Sequence, residues 1–388
     1  MKKRILITGL VLFILVFSGC DGKTENESKM LSTTSDEPVK TAYNASLDDA
    51  VVQILDGATA DFIGHLPVTE NFFYWIAAHY GDDVIMGIAE ESDLSDREIW
   101  YEKTKNSIFV LWDAYCADYG LNVYDLSHMK EISTAQRDVL SIDFCGDLNL
   151  ADHMATTNYM ASQPNGILDC FSDDLLEEMQ SCDLFVVNNE FAYTQRGEAL
   201  AGKAYTFRAD PERVKDVLAI GTDLVTVANN HVWDYGEIGM LDTIDTLEEA
   251  ELPYIGAGRN LTEAKRARYY TFSGRKIAIV NATQIERSYT YTKEATKDMA
   301  GVLKTLNPDK FCQVISDADK HADLVLVCVH WGTEGNSYYG ADQVNLANAF
   351  IEAGADAIIG GHTHCLQGIE YEHGVPVYYS LGNYWFSS

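Results

Sequence analysis

Past residue 138 the chain repeats one pattern: a short β-branched, apolar run, a polar turn, then apolar residues three and four apart. The runs at 139–145, 184–187, 224–227, 276–280, 324–329 and 357–359 predict strands. Between them Asp210-Pro211 supplies an N-cap and a first helical residue, and the spacing predicts further helices over 236–250 and 341–353. Strands alternating with crossover helices predict an α/β fold with parallel pairing. Ser273-Gly274 and His373-Gly374 each sit between strand-like runs and predict hairpin turns, so antiparallel pairing is expected as well.

The pattern is different upstream. From Ser46 to about Ile132 the apolar residues follow helical spacing, as in Val51, Ile54 and Leu55 or Phe72, Phe73, Trp75 and Ile76, and predict a helical module with no chemistry of its own. Residues 21–42 are polar and poor in large apolar groups, which reads as a tether. The first twenty residues place Lys2-Lys3-Arg4 before an apolar run over 5–17 and then Ser18-Gly19-Cys20, the layout of a secretory leader. That ending resembles a bacterial lipoprotein signal, which implies lipidation of Cys20 and anchoring outside the cytoplasm. An ordinary signal peptide or short membrane helix is the alternative, although the run is shorter than the ~20 residues a spanning helix needs. The expected organisation is a leader over 1–20, a tether over 21–42, a helical module over 43–135 and an α/β domain over 136–388.

Composition narrows the function. Of 388 residues 47% are hydrophobic and 22% charged, an ordinary globular balance. The formal net charge of −31 excludes nucleic acid as a partner, since a polyanion is held through Lys and Arg. It also means that an anionic substrate requires a local cation. Seven cysteines follow Cys20, an odd number with no C-x-x-C pair, so they read as core thiols rather than a disulfide framework.

The chemistry-bearing residues fall where predicted strands end, which is where α/β sheets place ligands. Asp147 and Asn149 follow the first strand, Asn188-Asn189-Glu190 the second, and Asn229-Asn230-His231 with Asp234 the third. His330 closes the most apolar strand, and Gly361-His362-Thr363-His364 leaves the last one. Extended backbone there would aim both imidazoles to one side. Each site alone has a bland reading: Asp147 as a turn or cap, Asp234 as a helix cap, His330 as a core histidine. Together they offer carboxylates, an amide and imidazoles, a donor set suited to Mn, Fe or Zn.

The ordered set Gly146-Asp147, Asn188-x-Glu190, Asn229-Asn230-His231 with Asp234-x-Gly236, His330-Trp331-Gly332-x-Glu334, Gly361-His362-x-His364 and Tyr379-Ser380-Leu381-Gly382-Asn383 resembles the bacterial capsule-synthesis CapA family, within the calcineurin-like metallophosphoesterase superfamily. The resemblance covers about residues 138–388 and implies a four-layer α/β/β/α sandwich with the site at its strand ends. It implies two divalent ions held by Asp147, Glu190, Asn230, His330, His362 and His364, with Glu190 bridging them. It further implies that His231, positioned by Asp234, protonates the leaving oxygen. The partners implied are an anionic or phosphorylated small molecule or the capsule polymer, poly-γ-glutamate, together with membrane-bound capsule synthesis proteins.

Two departures matter. The superfamily's first motif is Asp-x-His, but here Asn149 stands two residues after Asp147, so Asn149 would offer an amide to metal or substrate or leave the work to His153, otherwise an exposed helix residue. The second motif carries Glu190 in place of Asp. Arg208 is the candidate contact for an anionic substrate, with a surface ion pair as the alternative. Three functional readings stay open: a phosphoesterase-like hydrolase, a non-catalytic assembly factor that binds metal or polymer, and a two-metal amide hydrolase acting on the polymer.

Overall fold

The structure is a computed structural model that describes residues 4–6, 12–16, 45–57, 66, 68–91, 94, 96–121, 129–132 and 139–387. Cys20 and the tether lie outside the described residues, as does most of the leader. Its two described pieces, Arg4–Leu6 and Leu12–Val16, are antiparallel strands, the second pairing with the edge of Val139–Leu148. No helix among the described residues is long and apolar enough to cross a membrane.

Residues 45–118 form the helices Ala45–Gly57, Glu70–Tyr80, Asp82–Ala89, Glu98–Thr104 and Ile108–Asp118. Their apolar stripes close on one another around Phe72, whose ring meets Trp112 edge-on at 5.2 Å and Tyr115 at 5.4 Å. The module is docked on the α/β part. Lys276 reaches Asp113 at 2.5 Å, both nearly out of solvent, and the Ser107 N–H donates to the Gly274 carbonyl at 2.8 Å. Met129–Glu131, within the span expected to be helical, runs parallel to Arg268–Phe272 as an edge strand.

The rest is α/β, built on two sheets. In the first, Leu12–Val16, Val139–Leu148, Leu184–Asn189, Leu224–Thr226 and Tyr254–Ile255 lie side by side, and Asn383–Trp385 pairs with the end of Val139–Leu148. The second runs Ile369–Glu372, Val375–Tyr378, Ala357–Gly361, Leu324–His330, Arg275–Thr283, Arg268–Phe272 and Met129–Glu131. The central pairs of both sheets are parallel. The two hairpins fall at Ser273-Gly274 and His373-Gly374, all four residues at positive φ, the twist a two-residue turn needs.

Side-chain alternation along the strands distributes the core. Leu140, Ile142, Phe144, Leu184 and Val186 from the first sheet meet Ile277, Ile279, Leu324, Leu326 and Ile359 from the second in one buried cluster. Phe185, Val187 and Val225 turn the other way, against the helices Asp173–Ser181, Val214–Ala219 and Gly236–Glu249. Ala278, Val280, Val325 and Val327 likewise face Pro308–Asp319 and Ala341–Glu352. Asp210 caps the turn Pro211–Arg213 by accepting from the Glu212 N–H, and the helix at 214 follows directly.

Parallel strands in register end together, and this fixes the site. His330 lies opposite Thr283 on one side and Gly361 on the other, while Asp147 lies opposite Asn188. Gly146 has no side chain for a steric reason: a Cβ there would sit 2.0 Å from the Gly382 carbonyl oxygen, so the two segments pass in direct backbone contact.

Candidate metal centre

Six side chains converge from the two sheets. Asp147 is fully buried, and its Oδ1 accepts from Asn188 Nδ2 at 2.7 Å. The backbone N–H of His362 points at the same carboxylate, 3.2 Å from Oδ2, and His364 Nδ1 lies 3.4 Å from that oxygen. His330 Nε2 is 2.8 Å from Asn230 Oδ1 and 3.3 Å from Glu190 Oε1. The imidazoles of His330 and His362 lie 4.8 Å apart between centroids, those of His362 and His364 6.1 Å.

The extended backbone expected at 362–364 is absent. The strand ends at Gly361, and His362 and His364 stand at φ 91° and 55°. That left-handed turn is costly for histidine and characteristic of functional loops. It swings the His362 N–H onto Asp147 and still brings both imidazoles to the cluster. Gly361 must stay bare, since a Cβ there would lie 3.0 Å from Asp147 Oδ1 and 3.5 Å from His330 Nδ1.

The donor atoms form two overlapping groups. Those of Glu190, His330 and His362 lie within 4.8 Å of one another, as do those of Asp147, Glu190 and His364, so Glu190 belongs to both. Among the described residues neither Glu190 oxygen nor His362 Nδ1 has a partner in hydrogen-bonding geometry, although all are buried. Buried lone pairs without donors are expensive, and they suit a cation. Burial pushes the Glu190 carboxyl well above its usual range, and the charges of Asp147 and Asp234 push it further. Burial also drives His330 far down and His362 down to about 3. At His364 burial opposes protonation, but the hydrogen bonds and charge of Asp147 and Asn383 outweigh it and the net shift is upward. The neutral imidazoles of His330 and His362 facing Glu190 are what a divalent ion requires, and its charge would reverse the shift at Glu190 and displace the proton favoured at His364. These residues fit a metal.

Beside this cluster His231 Nδ1 meets Asp234 Oδ2 at 2.6 Å, and Asp234 Oδ2 also accepts the Phe207 N–H at 2.7 Å. The Phe207 ring covers the imidazole at 4.4 Å. Burial lowers the His231 pKa against the opposing pull of Asp234. Asn229 holds the segment in place, since its Oδ1 accepts the N–H groups of His231 and Val232, both at 3.0 Å.

The remaining expected residues stand apart from the donor groups. Asn149 is fully buried with its amide bonded to backbone: Oδ1 accepts from the Ala151 N–H at 2.8 Å and Nδ2 donates to the Glu190 carbonyl at 3.2 Å. His153 is exposed at φ 68°, and its carbonyl accepts from Asn158. Arg208 lays its guanidinium over the Tyr235 ring at 4.6 Å. Two residues that sequence reasoning missed do enter the site. Asn383 Oδ1 lies 2.7 Å from His364 Nδ1, and Lys203 Nζ lies 2.5 Å from Asp234 Oδ1. Asn383 sat within a quoted motif without a role, and Lys203 lies in a polar loop with no periodicity to mark it.

Comparison with known proteins bears on the same residues. The family model described as bacterial capsule synthesis protein PGA_cap matches residues 141–388. The chain is 39% identical over 191 residues to the capsule biosynthesis protein CapA of Bacillus anthracis, covering 48% of this chain and 45% of that one. It is 33% identical over 262 residues to the PGA biosynthesis protein CapA of Bacillus subtilis (strain 168), covering 66% of each. A probable polyglutamine synthesis accessory protein of Mycobacterium tuberculosis is 29% identical over 214 residues, covering 53% and 56%. The match thus spans from under half to about two thirds of these relatives' lengths.

Proposed function

The chain belongs to the bacterial capsule synthesis protein family, the CapA family of poly-glutamate capsule synthesis, and from that premise we propose that it is a metal-dependent, phosphoesterase-like hydrolase serving poly-γ-glutamate capsule production. In this reading the two sheets and their flanking helices are the four-layer α/β/β/α sandwich of the calcineurin-like metallophosphoesterases. Lipidated Cys20 holds the protein at the outer face of the cell membrane, near membrane-bound capsule synthesis proteins.

One observation carries the reading: Glu190 is shared by both donor groups, and its two buried oxygens have no hydrogen-bond partner. Glu190 with Asp147 and His364, and Glu190 with His330, His362 and Asn230, would hold the divalent metal, Mn, Fe or Zn. Divalent ions bound there supply Lewis acidity, which polarises a substrate oxygen and lowers the pKa of water at the site. The chain's own contribution is placement. Asp234 fixes His231 through Nδ1, and its charge favours the imidazolium against the burial that disfavours it, so that Nε2 would carry a proton for the leaving oxygen. Arg287 extends from the segment after Thr283, and its Nη2 donates to the carbonyl of Gly332, two residues beyond His330, at 3.0 Å. Its Nη1 also pairs with Asp342 Oδ2 at 3.3 Å, so an anionic group reaching this guanidinium would compete with that carboxylate.

The test is metal analysis of the purified chain followed by assays on a phosphodiester, a phosphomonoester and a γ-glutamyl amide with added Mn or Zn. Two ions per chain, and turnover of a phosphoester lost in Glu190→Gln and His364→Ala, are expected. Turnover of the amide alone would transfer the same machinery to the polymer backbone. The engagement of Asn149 with backbone favours a second reading, an assembly factor that holds metal or polymer without turnover. Bound metal with no turnover of any of the three substrates would select it.

A further inference from the structure

Lys203 stands at the junction of three segments around His231. Its side chain is 8% exposed, and Nζ contacts Asp234 Oδ1 at 2.5 Å, Glu286 Oε1 at 3.1 Å and the backbone carbonyl of Asn230. An ammonium has three donors, and here three acceptors face it. The surrounding segments are tied to the same point. The Leu200 N–H donates to the Asp234 carbonyl at 2.9 Å, and Thr292 Oγ1 donates to the Asn230 carbonyl at 3.1 Å. Asp234 has no exposure to solvent, so its rotation is set entirely by protein donors: Lys203 on Oδ1, and His231 with the Phe207 N–H on Oδ2.

We propose that Lys203 is a positioning residue for proton transfer, locking the Asp234 carboxylate so that Oδ2 faces His231 and the imidazole presents Nε2 to the leaving group. This rests on the hydrolase reading above and assigns it a residue that the capsule-family resemblance did not supply. A carboxylate with one oxygen anchored by an ammonium cannot rotate without leaving a buried charge unpaired, at a cost of several kcal/mol in general. The reaction served is hydrolysis of a phosphodiester. The water oxygen bonds to phosphorus and the bond from phosphorus to the leaving oxygen breaks. The departing oxygen takes the proton from His231 Nε2, and a proton of the attacking water passes to solvent, so that the alcohol and the phosphomonoester balance the ester and water.

General-acid assistance matters for a poor leaving group and little for a good one, which gives a readout that loss of packing alone would not produce. The purified, Mn-loaded full chain is assayed on a diester with a p-nitrophenol leaving group and on its phenol counterpart. Lys203→Met is expected to lower kcat about 10- to 100-fold on the phenyl ester and less than about threefold on the p-nitrophenyl ester, with KM and metal content unchanged. His231→Ala should show the same contrast. If Lys203→Met slows both esters equally, or neither while His231→Ala keeps the contrast, the positioning role is overturned and the hydrolase reading stands. If His231→Ala shows no contrast, the positioning role falls with the general acid it serves while the hydrolase reading stands; if the wild-type chain turns over neither ester, the phosphoesterase reading and this proposal both fall. Should Lys203→Met not fold, Lys203→Arg supplies the comparison, because a planar guanidinium cannot bring one nitrogen to all three acceptors; the same contrast is required of it.

Discussion

Asp143 lies on the Val139–Leu148 strand, 3% exposed, with both carboxyl oxygens unpartnered among the described residues. Burial, with the nearby charge of Glu178, pushes its pKa up to about 7 from the ordinary 3.8. The folded protein therefore binds a proton here that the unfolded chain has lost, and stability falls as pH rises from about 4 through 7. Asp143→Asn removes that dependence. The variant's stability advantage over the parent should grow by about 2 kcal/mol between pH 5 and pH 8, read from urea midpoints of the full chain. An advantage that stays constant across that range would mean Asp143 ionises freely in the folded state. The neighbouring contrast with Glu190 is instructive, since both are buried and partnerless acids. Only Glu190 has imidazole donors around it, and only there does the surrounding chemistry suggest a cation. Residue identity made Glu190, His330, His362 and His364 readable in the sequence because acids, amides and imidazoles recur at strand ends. Lys203 was not readable, because what distinguishes it is three acceptors from distant segments. The turn at His362 and His364 was also hidden, since left-handed φ at a non-glycine residue leaves no mark on composition.

At the scale of elements, strands and helices followed periodicity closely, and the sheet exits that hold the site came with them. The edges were less legible. Met129–Glu131 is short, and it is a strand through its pairing with Arg268–Phe272 rather than through any pattern of its own. The joint between the helical module and the second sheet was likewise invisible, because Lys276 and Asp113 are far apart in sequence and each reads alone as a surface charge. In the fold they form a pair with 0% and 7% side-chain exposure. Lys276→Met should destabilise the protein by about 3 kcal/mol or more, because it strips Asp113 of its ammonium, whereas Lys276→Met with Asp113→Leu should recover most of the loss. Urea unfolding of both variants is the check, and a single variant within about 1 kcal/mol of the parent would mean that the pair carries no such weight. Gly146→Ala tests the other joint. A methyl 2.0 Å from the Gly382 carbonyl forces apart the strand that delivers Asp147 and the segment that delivers Asn383 to His364. Metal affinity should fall at least tenfold with the second sheet's own packing intact, as titration calorimetry with Mn would show.

For the whole molecule, the decisive feature is that neither sheet owns the site. Asp147 lies near the end of a strand of the first sheet and Glu190 and Asn230 follow others, while His330, His362 and His364 close or follow strands of the second. The apolar cluster between the sheets holds them together from within. At the strand ends Asp147 and Glu190 face His330, His362 and His364 across the two sheets, and Glu190, whose ionisation burial opposes, gains most from a cation. An ion bound there links the sheets and stabilises the folded state alone, since the unfolded chain has no such constellation. With free metal at a hundred times its Kd the gain is about 2.7 kcal/mol. In a domain of this size that corresponds to a rise in Tm of about 5–10 °C. Chelator treatment should lower Tm by that amount and added Mn or Zn should restore it. Glu190→Gln should abolish the metal-dependent part, because the glutamine retains the shape but withdraws the charge common to both donor groups. A Glu190→Gln protein that still gains the full increment from metal would show that the ions bind without the shared carboxylate, and the bridging role would then have to be given up.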